Sequence, residues 1–167
     1  MDAPPEPPED APTYRENVVT KARTYARATG MLTIADDSGL EVSALGGEPG
    51  VRTKRYFGEG LSDAERNRRL LDLLRGRDDR SARFVCAIAL AWPDGRVETF
   101  EGVCPGRIAH APAAKPGWGF GYDPVFIAEG EARTMAELPP EEKNRISHRG
   151  RAVAKLRERL AALSRDR

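Results

Sequence analysis

Ala82-Arg83-Phe84-Val85-Cys86-Ala87-Ile88-Ala89-Leu90-Ala91 is the stretch on which the fold turns, because nine of its ten residues are apolar. A run of this length without alternation marks a strand covered on both faces. Trp92-Pro93-Asp94-Gly95 follows with turn chemistry, and Arg96 to Val103 alternates as a returning strand. A sheet covered on both sides by helices is therefore the expectation.

Upstream, Thr13-Tyr14-Arg15-Glu16 has the form of a capping box. Tyr14, Val18, Ala22 and Tyr25/Ala26 recur at helical spacing, and Gly30 is placed to end the helix. Met31 to Ala35 reads as a short strand ending in Asp36-Asp37-Ser38-Gly39, with Leu40 to Ser43 extended beyond it. Gly46, Gly47, Pro49 and Gly50 mark a loop. Ser62-Asp63-Ala64-Glu65 is a second capping box, opening a helix to about Arg75. Downstream, 105–119 reads as a Gly/Pro/Ala-rich loop and Tyr122 to Ile127 as a short strand. Glu141 onward is helical, with Ser147 capping a final helix that carries Val153, Leu156, Leu160 and Leu163. Strands and helices mix, so the class is α/β: a mixed, twisted central sheet flanked by helices.

The 167 residues fit one domain, and the Pro- and acid-rich stretch 1–12, with five prolines, reads as a loop or tail. Apolar residues make up 40% and charged residues 32%, the balance of a soluble globular chain. A net charge of +1 with interspersed signs argues against a nucleic-acid binder, which would carry a basic stripe. No apolar run approaches the roughly 20 residues of a membrane span. The start is no signal peptide, so a cytoplasmic setting is expected. Cys86 and Cys104 show no metal spacing, and Cys86 reads as a buried, inert thiol.

Four clusters stand out against this frame. Asp36-Asp37 after an apolar strand offers hard oxygen ligands for Mg²⁺, or a general base for water. An acidic turn explains the same residues. Asn17 and Lys21 share one helix face beside Glu16, which a solvated face would explain equally; Glu6, Glu9 and Asp10 just upstream offer further carboxylates. Gly117-Trp118-Gly119-Phe120-Gly121-Tyr122-Asp123-Pro124 joins close-approach glycines to aromatic faces on which a base can stack. Lys143 and Ser147-His148-Arg149-Gly150 put cations and free amide protons at a helix start. Together these are the parts of a nucleoside triphosphate site.

The order ADDSGLEV (35–42), GGEPGV (46–51) with Arg55-Tyr56, ARFVCAIAL (82–90), GFGYDPVF (119–126) and EEKNRISHRGRA (141–152) resembles the inosine triphosphate pyrophosphatase family, also called Ham1-like or dITP/XTP pyrophosphatases. The resemblance runs from about Glu9 to Leu163. It implies hydrolysis of ITP, dITP and XTP to the monophosphate and pyrophosphate, cleansing the nucleotide pool. It implies Mg²⁺ as cofactor, a homodimer, and the ITPase-like architecture shared with Maf proteins. By position, Asp37 is the catalytic carboxylate and a metal ligand, Glu9 a second metal carboxylate, and Asp36 a support for the pair. Asn17, Lys21 and Ser38 fall at the triphosphate. Phe120, Gly121, Tyr122 and Asp123 match the base loop, and Lys143, His148 and Arg149 lie near the keto edge of the base.

The resemblance also sets departures. Its members open with a strand, a T-x-N-x-x-K-type loop and a helix. This sequence shows no counterpart, so an N-terminally shortened domain is expected, lacking a βαβ segment of about 30 residues. A weakened phosphate grip, unpaired strand edges and a homologue that binds nucleotide with little catalysis are the matching expectations. Arg52-Thr53-Lys54 and a longer 109–119 loop with Trp118 are smaller departures, bearing on substrate choice or the dimer surface.

Overall fold

The computed structural model describes residues 7–115 and 117–165. Helix α1 (Tyr14–Thr29) starts at Thr13, whose side chain accepts from the Glu16 N–H, and stops at Gly30, which takes the left-handed conformation at φ 68°. The cap is half the expected box: the Glu16 carboxylate takes the Thr13 hydroxyl. Strand β1 (Thr33–Val42) follows, then a 3-10 turn and the two-residue strand β2 (Pro49–Gly50). Helix α2 (Asp63–Leu73) is opened by a complete capping box between Ser62 and Glu65. Strands β3 (Ser81–Ala91) and β4 (Val97–Ile108) form the hairpin. A 3-10 turn at Asp123–Val125 leads into β5 (Phe126–Ala128), and α3 (Pro140–Ile146) and α4 (His148–Arg165) complete the chain.

The sheet order is β2-β1-β3-β4-β5, with the long apolar strand at its centre. The α/β class stands, and all four pairings among the described strands are antiparallel, so the mixed sheet expected narrows to an antiparallel one.

Alternation along β3 assigns the two faces. Val85, Ala87, Ala89 and Ala91 meet Val18, Ala22 and Ala26 of α1. Cys86, Ile88 and Leu90 meet Ala152 and Leu156 of α4. Further along the α4 side, Phe84 and Ala82 join Leu40, Val42, Leu70, Leu74 and Phe126 in a third cluster. The α1 face is built from small side chains, which lets the helix lie close to the sheet. Both cysteines are free and buried.

Three expectations change. Asp36 to Gly39 do not end a strand: β1 runs through them, with Asp36 opposite Ile88 and Gly39 opposite Val85. The ladder to β3 supplies backbone partners that outweigh local turn chemistry. Residues 105–108 extend β4 instead of opening the loop. Tyr122 to Val125 form a turn, and only Phe126–Ala128 pairs with β4.

Candidate active site

The edge of β1 away from β3 is paired with β2 only at Leu40 and Glu41. Beside the remainder of that edge lies a cleft of about 690 Å³. Consecutive residues of a strand point to opposite faces, and this splits the two aspartates. Asp37 faces α1, where the Asn17 amide donates to its Oδ2 at 3.1 Å. Asp36 faces α4, where Arg149 donates to its Oδ2 through Nε at 3.1 Å and Nη2 at 2.9 Å. Asp36 thus anchors Arg149, on the face of β1 opposite to Asp37.

Around Asp37 the α1 side is consistent in detail. The Ser38 N–H donates to its Oδ1 at 2.9 Å. Asn17 is buried rather than solvated, and its Oδ1 accepts from the Ala11 N–H at 2.9 Å. Lys21, one turn on, pairs with Glu9 at 2.9 Å, and Arg55 donates to the Glu9 carbonyl at 2.5 Å. Burial pushes the Asp37 carboxyl above the usual carboxylate range, and the Glu9 charge adds to the shift. The hydrogen bonds from Asn17 and Ser38 and the charge of Lys21 oppose it. The Ser38 hydroxyl is buried without a partner. Gly39 is required here for space, since a Cβ would stand 2.3 Å from the Gly50 carbonyl oxygen and 2.6 Å from the Tyr14 hydroxyl. Asp10 lies on the surface, and Glu6 lies outside the described residues.

The far end of the cleft carries the aromatic loop. Phe120 is 63% exposed, with Lys143 Nζ 5.1 Å and Arg149 Cζ 5.6 Å from its ring centre. Asp123 is buried and accepts from the Phe120 N–H at 2.9 Å and from Lys143 Nζ at 2.5 Å. Tyr122 is buried as well, and its hydroxyl donates to the Thr53 carbonyl at 3.3 Å. Gly121 takes φ 60° between them. His148 stacks on Phe84 with ring centres 4.7 Å apart. Burial, Arg149 and Lys143 push its imidazole down to about 4, so it is neutral at physiological pH, and its Nδ1 is buried without a partner. The Gly150 N–H donates to Ser147 Oγ at 3.0 Å, so Ser147 caps α4 as expected. Gly102 lets that helix start rest on β4: a Cβ there would be 2.0 Å from the His148 carbonyl oxygen.

All the site residues the resemblance implies except Asn17 line this one cleft, and Asn17 reaches it through Asp37; Glu16 and Asp10 do not line it. Thr53 and Lys54, read from the sequence as departures bearing on substrate choice or the dimer surface, also line it; sequence reasoning missed Asp63, Arg66 and Asn67, the first two of which line it as well. Asp63 and Asn67 stand four apart on α2, a spacing that was visible but indistinguishable from an ordinary solvated helix face.

The sequence pattern that defines the Ham1 family matches residues 1–159. A Deinococcus deserti protein named dITP/XTP pyrophosphatase is 50% identical over 150 residues, covering 90% of this chain and 71% of that protein. A Deinococcus radiodurans protein of the same name is 47% identical over 150 residues, covering 90% and 74%. The Ham1 protein of Staphylococcus aureus superposes with a TM-score of 0.87 at 42% identity, over 93% of this chain and 80% of that one. A HAM1 protein from Coxiella burnetii gives 0.88 at 44% identity, over 95% and 81%. Likeness of this depth in both sequence and backbone, over nine-tenths of its length, makes this chain a member of the Ham1 family.

Proposed function

We propose that this chain hydrolyses non-standard purine nucleoside triphosphates of the ITP, dITP and XTP class, releasing the monophosphate and pyrophosphate. The observation that carries the reading is a single cleft with a carboxylate and lysine cluster at one end and an aromatic platform rimmed by cations at the other. Its length suits a nucleotide, with the triphosphate toward Asp37 and the base on Phe120. The dITP/XTP pyrophosphatase name borne by both Deinococcus relatives supports the substrate class.

Asp37 and Glu9 would hold Mg²⁺. The fit is in the donor set: two neighbouring carboxylates, one with its acidity weakened by the other, suit a hard cation that completes its shell with phosphate oxygens. When bound, the ion offsets phosphate charge. The chain's own residues do the rest. Asp37, with its raised proton affinity, takes a proton from the attacking water. Asn17 and the Ser38 N–H fix the carboxylate while this happens. Lys21 and the unpaired Ser38 hydroxyl meet phosphate oxygens. Water adds its oxygen to one side of the α,β-anhydride bond, the bond breaks, and pyrophosphate leaves.

Base selection rests on donors. Hypoxanthine and xanthine present a 6-oxo acceptor, whereas adenine presents a 6-amino donor. Arg149 and Lys143 carry donors only. A 6-amino group set against these donors finds no acceptor and forfeits about 1–3 kcal/mol, roughly tenfold to a hundredfold. Pyrophosphate release from ITP and XTP against ATP, with Mg²⁺ present, tests the proposal. Release from ITP and XTP that is lost in Asp37→Asn supports it; ATP hydrolysed as fast as ITP would sink it. The resemblance further carries a homodimer and a cytoplasmic setting, and light scattering on the purified chain tests the first. No helix among the described residues is long and apolar enough to cross a membrane.

A further inference from the structure

Phe120 presents a problem of support. A ring 63% exposed has little packing to hold it, so its position depends on how its backbone is tethered. One tether is internal: its own N–H donates to Asp123. The next residue is held from outside the loop. The Gly121 N–H donates to Asp63 Oδ2 at 2.7 Å, and the Asn67 amide donates to the Gly121 carbonyl at 3.0 Å. Both groups come from one face of α2. Asn67 is 3% exposed, so its orientation is fixed by burial. Asp63 is braced by Arg66 Nη1 at 2.8 Å.

The same helix reaches the opposite lip of the cleft. Arg69 donates to the Phe57 carbonyl at 2.9 Å. That segment begins at Thr53, whose carbonyl takes the Tyr122 hydroxyl and whose Oγ1 accepts from the Leu40 N–H at 2.9 Å, three residues beyond Asp37. Helix α2 thus joins the loop beneath the base to the loop beside the catalytic strand.

We propose that Asp63 and Asn67 are positioning residues for substrate binding: they clamp Gly121 by its N–H and its carbonyl, and so set the height and tilt of the Phe120 platform. The proposal rests on Phe120 as the surface that receives the base. Clamping acts on binding before chemistry, because Asp37 and its hydrogen-bond partners Asn17 and Ser38 sit on α1 and β1 and make no hydrogen bond to Asp63 or Asn67. Small displacements of a contact surface are costly to a bound substrate.

The test uses the full chain in a Trp92→Phe background, which leaves Trp118 as the sole tryptophan, two residues from Phe120. Asn67→Ala is expected to raise KM for ITP about tenfold, as the loss of one buried hydrogen bond warrants, and Asp63→Ala, at an exposed contact, about fivefold. In both, kcat stays within about threefold, and the fluorescence anisotropy of Trp118 falls as the loop is released. Asp63→Asn keeps an acceptor oxygen and recovers most of the loss. Unchanged KM and unchanged anisotropy overturn the proposal, and so does a lowered thermal midpoint with wild-type KM, the mark of a merely structural role. If the unsubstituted protein releases no pyrophosphate from ITP, the nucleotide reading has failed separately; anisotropy then still decides the clamp, since an unreleased Trp118 overturns it. Should Asn67→Ala not fold, the Asp63 pair, at the more exposed contact, carries the same comparison.

Discussion

The two ends of the cleft are built differently. The Asp37 end is made mostly of regular structure: a ten-residue strand and a sixteen-residue helix packed through small side chains, which between them fix Asn17, Lys21, Asp37 and Ser38. The Phe120 end is a loop held from afar, by Asp63 and Asn67 on its backbone and by Lys143 and Arg149 on its side chains. Rigid elements suit chemistry, where a proton acceptor tolerates little error. A tethered loop suits recognition, where a flat ring needs only to be level. On this view, substitutions at the first end should damage turnover, and those at the second should damage choice and affinity.

The sharpest way to break that contrast is Asp37→Asn. Turnover should fall roughly a hundredfold to ten-thousandfold, the range for loss of a general base, while affinity for ITP measured without Mg²⁺, and so without turnover, changes little. A comparable loss of affinity would merge the two ends. Next in size, Phe120→Ala should weaken ITP binding about tenfold to a hundredfold, as lost stacking does. Arg149→Ala should narrow the ITP-over-ATP preference by about as much. Competition assays over the four nucleotides check both, and a pure turnover defect in either would contradict the division.

Smaller effects come from titration, and they have opposite signs at the two ends. The Asp37 pKa is raised by folding, so the stability it contributes is complete below the ordinary aspartate value and is lost as pH rises through the folded value. Asp37→Asn should therefore be more heat-stable than the parent at neutral pH, with the gap closing in acid. His148 is depressed from 6.5 to about 4, so its contribution is present above pH 6.5 and is lost as pH falls toward 4. His148→Gln should flatten the loss of stability over that interval. Thermal midpoints read from pH 4 to 8 test both slopes together.

The same contrast governs what could be read in advance. The helix starts at Thr13, Ser62 and Ser147 were legible because a cap is a local bargain between a side chain and amides three residues on. The strand at 82–91 was legible because burial on both faces leaves no polar position. What escaped was decided by partners distant in sequence. Asp-Ser-Gly at 37–39 has turn chemistry, yet a full ladder to β3 keeps it extended. Asp36 looked like the twin of Asp37 until the sheet set them on opposite faces, one toward Asn17 and one toward Arg149. Asp63 and Asn67 make their contacts 58 and 54 residues away, beyond any local pattern.

That placement of Asp36 and Asp37 has a consequence for the register of β1. Because the period of a strand is two, a slip of β1 by one residue against β3 would exchange them: Asp37 would face α4, and Asp36 would face α1. Only one of the two partners would still find a carboxylate, since the slip brings either Ser38 to Asn17 or Ala35 to Arg149. Ala35, Leu40 and Val42 would not survive the exchange, since each would leave its core cluster for the other face. Apolar residues and the aspartate pair thus proofread the same register, each residue from its own face of the strand.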